Sequence, residues 1–215
     1  MLFSTQVIGS QEKAYTNQYR SICRTNHHWC TRIIWGVSCL DLVVVYKEVK
    51  KMNHLDYLHH LVKAHYNDFS TAYHIRDFPL LEDVFAVISI ESSWRTDAKS
   101  PAEAYGLMQI TQPALDQVNS IYSTNFTLED MLRADRNIFV GMRYLRWLYR
   151  VFEQLPHAPL FSIIAYNWGI GNVMNWLDGK KRIQEIPQET KDYVLKYLYW
   201  KHFWQKKLRE EEVKA

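Results

Sequence analysis

Cysteine is scarce in this chain and confined to its start. Cys23, Cys30 and Cys39 are its three, all within residues 1–51, and an odd number leaves no closed disulfide framework. Glycine and proline are few, seven and six in 215 residues, which favours a mainly helical protein over one rich in strands and turns. No apolar run reaches the roughly 18 residues that a bilayer span needs. The nearest candidate, Ile33 to Tyr46, is shorter and carries Asp41. A secretory leader would need a small-residue cleavage site after that run, and the charged Lys47-Glu48-Val49-Lys50-Lys51 follows instead. No repeat and no low-complexity tract is present.

Charge is unevenly spread. Residues 1–52 hold seven Lys and Arg against three Asp and Glu, and the other 163 residues hold nineteen against twenty. The basic pI of about 8.6 therefore belongs to the leading segment. A nucleic-acid module concentrates its basic charge in the folded part, so nucleic acid is not an expected partner. Aromatics are plentiful, with eight Trp and fourteen Tyr. Buried packing accounts for most such surpluses, and sugar rings also stack on exposed aromatic faces.

Residues 1–51 read as an N-terminal extension, poorly ordered or non-native, with Met52 as a candidate start and an uncleaved envelope anchor as the alternative. Cys23, His27, His28 and Cys30 invite a metal, but their spacing is not that of a zinc finger, so no metal and no cofactor is expected. From residue 52 to 215 the pattern is that of one domain. Leu55, Leu58, Leu61, Val62 and His65 recur at helical spacing, and His54, His59, His60 and His65 include no i, i+4 pair that would share a metal. Pro113 opens a helix, and Thr127 suits an N-cap before Leu128 to Leu132. A long helix from Asp135 or Asn137 to Glu153 carries the apolar stripe Ile138, Met142, Leu145, Leu148 and Phe152. Arg136, Arg143, Arg146 and Arg150 fall on its other side and read as a solvated face. Pro159 precedes an apolar helix, and Pro187 begins a last one, with Tyr193, Tyr197, Trp200 and Trp204 as a packing stripe and Leu208 to Ala215 as a frayed tail.

The stretch from Ile88 to Ile110 organises the domain. Behind Pro79, the residues Leu80, Leu81, Val84, Val87, Ile88 and Glu91 recur at three- and four-residue spacing, which places Glu91 on the apolar face near the end of a helix. A carboxyl there loses hydration and meets the negative end of the helix dipole, and both effects raise its pKa. A carboxyl held protonated near neutrality is a general acid. A polar loop over 93–111 follows, with short strands expected around Ser100 and Gly106.

Glu91-Ser92, Trp94, Ser100-Pro101 and Gly106-Leu107-Met108-Gln109-Ile110 resemble the first motif of the soluble lytic transglycosylase catalytic domain, a branch of the lysozyme superfamily. Ala165-Tyr166-Asn167-Trp168-Gly169 resembles the second, and Ile186-Pro187, Glu189-Thr190 and Tyr193-Val194 the third. The blocks occur in family order, so the resemblance spans about residues 82 to 204. It implies a mainly α, lysozyme-like fold with a small loop or short-strand segment after the catalytic helix. It also implies cleavage of peptidoglycan glycan strands between N-acetylmuramic acid and N-acetylglucosamine. In that chemistry one Glu protonates the glycosidic oxygen, then takes the proton of the muramic acid 6-hydroxyl, which closes a 1,6-anhydro ring. Glu91 would be that residue. Ser100 and Gln109 would hydrogen-bond the substrate, Tyr166 and Asn167 would stand in the site with Tyr166 beside Glu91, and Glu189 would shape the floor of the groove. The family's Asn-Pro after the aromatic is here Arg95-Thr96, its glycine three before Gly106 is Glu103, and its proline between Gly169 and Gly171 is Ile170.

Two other readings stand beside this one. The first is a hydrolytic muramidase, similar to goose-type lysozymes, in which Asp97 positions a water. The second is a catalytically idle glycan-binding or virion protein. The expected place of action is the bacterial envelope or periplasm, or a phage virion delivered to it.

Overall fold

The computed structural model describes residues 53–75, 78–179 and 182–214. The leading segment, with its cysteines and the metal and anchor readings placed on it, lies outside the described residues. The chain divides into two units, Met1–Asn53 and His54–Ala215, and the second carries everything that follows. Among its described residues are seven α-helices: α1 His54–Tyr73, α2 Leu81–Glu91, α3 Gln112–Tyr122, α4 Ala134–Phe152, α5 Ala158–Trp168, α6 Ile170–Asp178 and α7 Gln188–Lys214. The loop after α2 forms no strand. Two isolated antiparallel bridges, Lys99 with Tyr105 and Tyr105 with Ile110, are all that the expected strand segment contains.

Helix α2 is the centre of the unit. Every residue from Asp83 to Ser89 is buried, so the helix is enclosed on all sides rather than on one face. It packs chiefly on α7, while α4 packs chiefly on α5. The main core joins Val84, Phe85 and Ile88 of α2 to Leu107 and Met108 of the loop, Ile138 and Leu145 of α4, and Tyr193, Tyr197 and Trp204 of α7. A polar knot pins α2 at its start. The fully buried Asp83 accepts hydrogen bonds from the backbone N–H of Leu80 at 2.7 Å and the Tyr197 hydroxyl at 2.7 Å, and pairs with Lys201 at 2.7 Å. A buried carboxyl is tolerated only when matched in this way.

Two expectations are overturned. The arginines of α4 do not form a solvated face. Arg143 lies 3.4 Å above the Phe139 ring, Arg146 donates to the carbonyl of Phe78, and Arg136 pairs with Asp130, which leaves Arg150 as the exposed one. Long guanidinium stems cover apolar surface while the head finds a ring or carbonyl, and helical spacing alone cannot see that. The C-terminal tail is not frayed either. Helix α7 runs to Lys214, Leu208 is buried, and Glu211 pairs with Lys63 of α1 at 2.6 Å.

Candidate active site

Glu91 is the last residue of α2. Helix α2 stops there because the chain turns sharply: Ser93 and Trp94 take φ of 50° and 68°, the left-handed region that L-residues seldom adopt. Ser92 secures the turn by donating from Oγ to the carbonyl of Leu107 at 2.8 Å. Trp94 folds back so that its indole N–H donates to Ser89 Oγ at 3.1 Å, and Trp204 of α7 donates to the same oxygen at 2.9 Å. The helix that carries Glu91 is thus held at Ser89 from both sides, by the following loop and by α7.

The Glu91 side chain is mostly enclosed. Its Oε1 accepts a hydrogen bond from the Tyr193 hydroxyl at 2.6 Å. Burial raises its pKa from the ordinary value of 4.5 to about 7, against the smaller lowering by that hydrogen bond. The carboxyl is therefore balanced between its two protonation states near neutral pH, as a group that must give and then take a proton requires.

The loop opposite is built on Asn137, which is completely buried on α4. Its Oδ1 accepts from the Met108 N–H at 2.8 Å, and its Nδ2 donates to the carbonyls of Tyr105 and Met131, each at 2.8 Å. Gly106 sits against this amide: a Cβ there would lie 2.0 Å from the Met131 carbonyl oxygen and 2.4 Å from Asn137 Nδ2, at φ of +73°. No residue with a side chain fits that position. Glu103 stands where the resemblance expects glycine, and it does take a left-handed φ of 54°. The loop thus holds Glu103 as a strained residue.

Of the residues anticipated for the site, Gln109 lies in this loop, its Nε2 donating to the carbonyls of Ala98 at 3.2 Å and Gly106 at 2.9 Å. Ser100 is half-buried, and its Oγ accepts from the Ala104 N–H at 3.1 Å. Tyr166 joins α5 to the loop: its hydroxyl donates to the Met108 carbonyl at 2.6 Å, and Glu91 is the first charge that acts on it after burial itself. Tyr166 therefore stands beside Glu91 while its hydrogen bond goes to the loop. Asn167 is half-buried at the end of α5. Glu189 is exposed in the first turn of α7, one helical turn ahead of Tyr193. Asp97 and Glu103 are exposed on the loop. No group of three His, Cys, Asp or Glu that could hold a metal ion occurs among the described residues.

The partners of two site residues are not legible in the sequence. Tyr193 falls in the third motif block and in the packing stripe of the last helix, and the need of a buried phenol for an acceptor is the signal for its role. Asn137 reads in the sequence as one of two candidate helix starts. Its position beside Ile138, on the buried side of an amphipathic helix, marks it as a polar group with a buried task.

Residues 80–188 match the family model described as the Transglycosylase SLT domain. The chain is 30% identical over 196 residues to a soluble lytic murein transglycosylase of Salmonella typhimurium, covering 83% of this chain and 27% of that protein. It is 30% identical over 203 residues to the protein of that name from Escherichia coli, covering 88% and 31%. That second alignment takes in more of the chain than residues 54–215 contain, so it reaches into the first 53. The chain spans less than a third of the length of these relatives. Among solved structures it is similar to the 70 kDa soluble lytic transglycosylase from Escherichia coli, with a TM-score of 0.56 and 28% identity over 66% of this chain and 24% of that one. A complex of the 70 kDa soluble lytic transglycosylase with bulgecin A gives 0.57 and 28% over the same shares.

Proposed function

The chain belongs to the Transglycosylase SLT domain family, and from that premise we propose that it cleaves peptidoglycan glycan strands as a lytic transglycosylase, with Glu91 acting as acid and then as base. The observation that carries this reading is the enclosed Glu91 carboxyl, hydrogen-bonded by Tyr193 and raised to about 7 by burial, within the family's matched span and, unlike Asp83 with its Lys201 partner, paired with no cation among the described residues. Most glycosidases need two carboxylates that flank the bond. Asp97 and Glu103 are exposed on the loop and Glu189 is exposed on α7. A reaction that needs one acid suits this arrangement: Glu91 protonates the glycosidic oxygen as that bond to the muramic acid anomeric carbon breaks. It then removes the proton of the 6-hydroxyl as the hydroxyl oxygen bonds to the same carbon. The nucleophile is tethered to the ring it closes, and its effective concentration far exceeds that of any competitor held less well.

The loop's residues take roles consistent with this chemistry. Gln109, Ser100 and Asn167 bind the sugar rings on either side of the bond, Tyr166 holds the Met108 turn against the acid, and Glu189 lies on the groove's outer floor. A complex of the 70 kDa soluble lytic transglycosylase with bulgecin A supports bulgecin A as a ligand of this chain. The place of action is the cell envelope; among the described residues no helix is long and apolar enough to cross a membrane.

Mass spectrometry of the muropeptides released from purified wall tests the reading, with 1,6-anhydro ends expected. Reducing ends that carry ¹⁸O from labelled water would move the chain to the hydrolases and give Asp97 a role. Glu91→Gln keeps the shape and the Tyr193 hydrogen bond but removes the transferable proton, so the rate should fall at least about a hundredfold with the melting temperature nearly unchanged. A variant that still lyses wall at the native rate would remove Glu91 from the mechanism.

A further inference from the structure

The aromatic wall beside Glu91 continues past Tyr166. Tyr144 of α4 lies with its ring centroid 5.6 Å from that of Tyr166, and Trp147, a turn farther on, stacks on Tyr144 at 5.6 Å and 23° between planes. Both are half-buried. The Tyr166 hydroxyl feels Glu91 first and Tyr144 second among neighbouring charges, so the three polar tips share one neighbourhood.

What sets Tyr144 apart is that its hydroxyl is uncommitted. The phenols of Tyr166, Tyr193 and Tyr197 are spent on Met108, Glu91 and Asp83. No group among the described residues hydrogen-bonds the Tyr144 hydroxyl or the Trp147 indole N–H, and neither is a buried atom left without a partner. Both tips therefore reach water. Burial is the sole cause that raises the Tyr144 pKa, which fits a phenol with no polar neighbour bonded to it. Tyr and Trp that pack through their rings usually find a partner for the polar end. Here Tyr144, in ring contact with the Tyr166 that stands beside the candidate acid, and Trp147, stacked on Tyr144, both keep that end open.

We propose that Tyr144 and Trp147 form a sugar subsite next to Tyr166, which binds a hexosamine ring of the glycan chain. The Tyr144 hydroxyl hydrogen-bonds a hydroxyl or acetamido oxygen of that ring, and Trp147 holds the phenol in place by stacking and offers its N–H to the same ring. The subsite rests on the glycan-cleaving reading above and adds to it a binding surface outside the three motif blocks.

The test uses the full chain. In the Glu91→Gln background, calorimetric titration with a hexamer of N-acetylglucosamine should show binding weakened about fivefold by Tyr144→Phe, the loss of one neutral hydrogen bond. Trp147→Leu should weaken it about tenfold through the lost aromatic contact. With Glu91 intact, Tyr144→Phe should raise KM on purified wall by the same factor and leave kcat within about twofold, because uniform binding is what it removes. Tyr144→Phe keeps the ring and its packing, so a purely structural role predicts no change in either assay, and that result overturns the subsite. Wild-type protein that neither binds the hexamer nor cleaves wall would instead show that the glycan-cleaving reading has failed, and the subsite with it.

Discussion

At the scale of single residues, the Glu91–Tyr193 pair decides how the site responds to pH. A hydroxyl that donates to a carboxylate favours its charged form and lowers its pKa. Burial opposes this and wins, so the carboxyl sits near 7. Activity that begins with protonated Glu91 falls as pH rises through that value. Tyr193→Phe takes away the lowering influence while leaving burial in place. The alkaline limb of kcat/KM should therefore move to higher pH, with a loss of rate below about tenfold at the optimum. An unmoved or acid-shifted limb would mean that the hydrogen bond does not act on the group that titrates. Glu103, like Ser93 and Trp94, carries a backbone cost: its left-handed φ is what a glycine would adopt freely, and the loop around it nevertheless forms its bridges.

At the scale of elements, the loop after α2 is shaped by α4 rather than by itself. Asn137 satisfies one N–H and two carbonyls of other segments, and those groups are buried with it. Asn137→Ala leaves them unpaired, a cost of about 1–3 kcal/mol for each group that water cannot reach. The variant should melt many degrees lower and, where still folded, should lose activity beyond its loss of folded protein, because Gln109 and Met108 are no longer held. Thermal melts alongside specific activity per folded molecule would show whether the two losses part. Much of this level was legible in the chain. Pro79, Pro113, Pro159 and Pro187 stand at helix starts as the sequence suggests, while the short turn is capped at Leu128 rather than Thr127, which exchanges hydrogen bonds with Asp130 from one residue farther out. Ordered motif blocks located Glu91 and the loop. What escaped was contact between elements distant in sequence: the phenol of Tyr193 on an acid 102 positions away, the ring, carbonyl and carboxylate partners of three of the four α4 arginines, and the packing of the C-terminal turn onto α1. Periodicity tells which face is buried but not what it meets.

At the scale of the whole molecule, the unit His54–Ala215 closes its own core from α1 to α7. We propose that this unit folds without residues 1–51, as the composition of that segment suggests. A chain that begins at Met52 should melt within a few degrees of the full chain and keep its wall-lysing rate. A large fall in melting temperature would assign the leading residues, part of which align with the Escherichia coli relative, a share in stability.

Behind the acid, Ser89 gathers two indole N–H groups, and the rings of Trp94 and Trp204 stand 5.7 Å apart. The His59 imidazole lies 4.4 Å from the first and 5.1 Å from the second. Burial, with a smaller push from Lys207, lowers its pKa from 6.5 to about 4. A charged imidazole in contact with an indole quenches its emission, so this cluster is an optical gauge built into the fold. Part of the tryptophan fluorescence should fade as pH falls through about 4, and His59→Gln should abolish that step. Over the same range the unfolded chain takes up its proton near 6.5 and the folded chain only near 4, so stability is lost progressively between the two. Light emitted beside α2 would then mark the lower end of the pH range over which the His59 contribution to stability is lost.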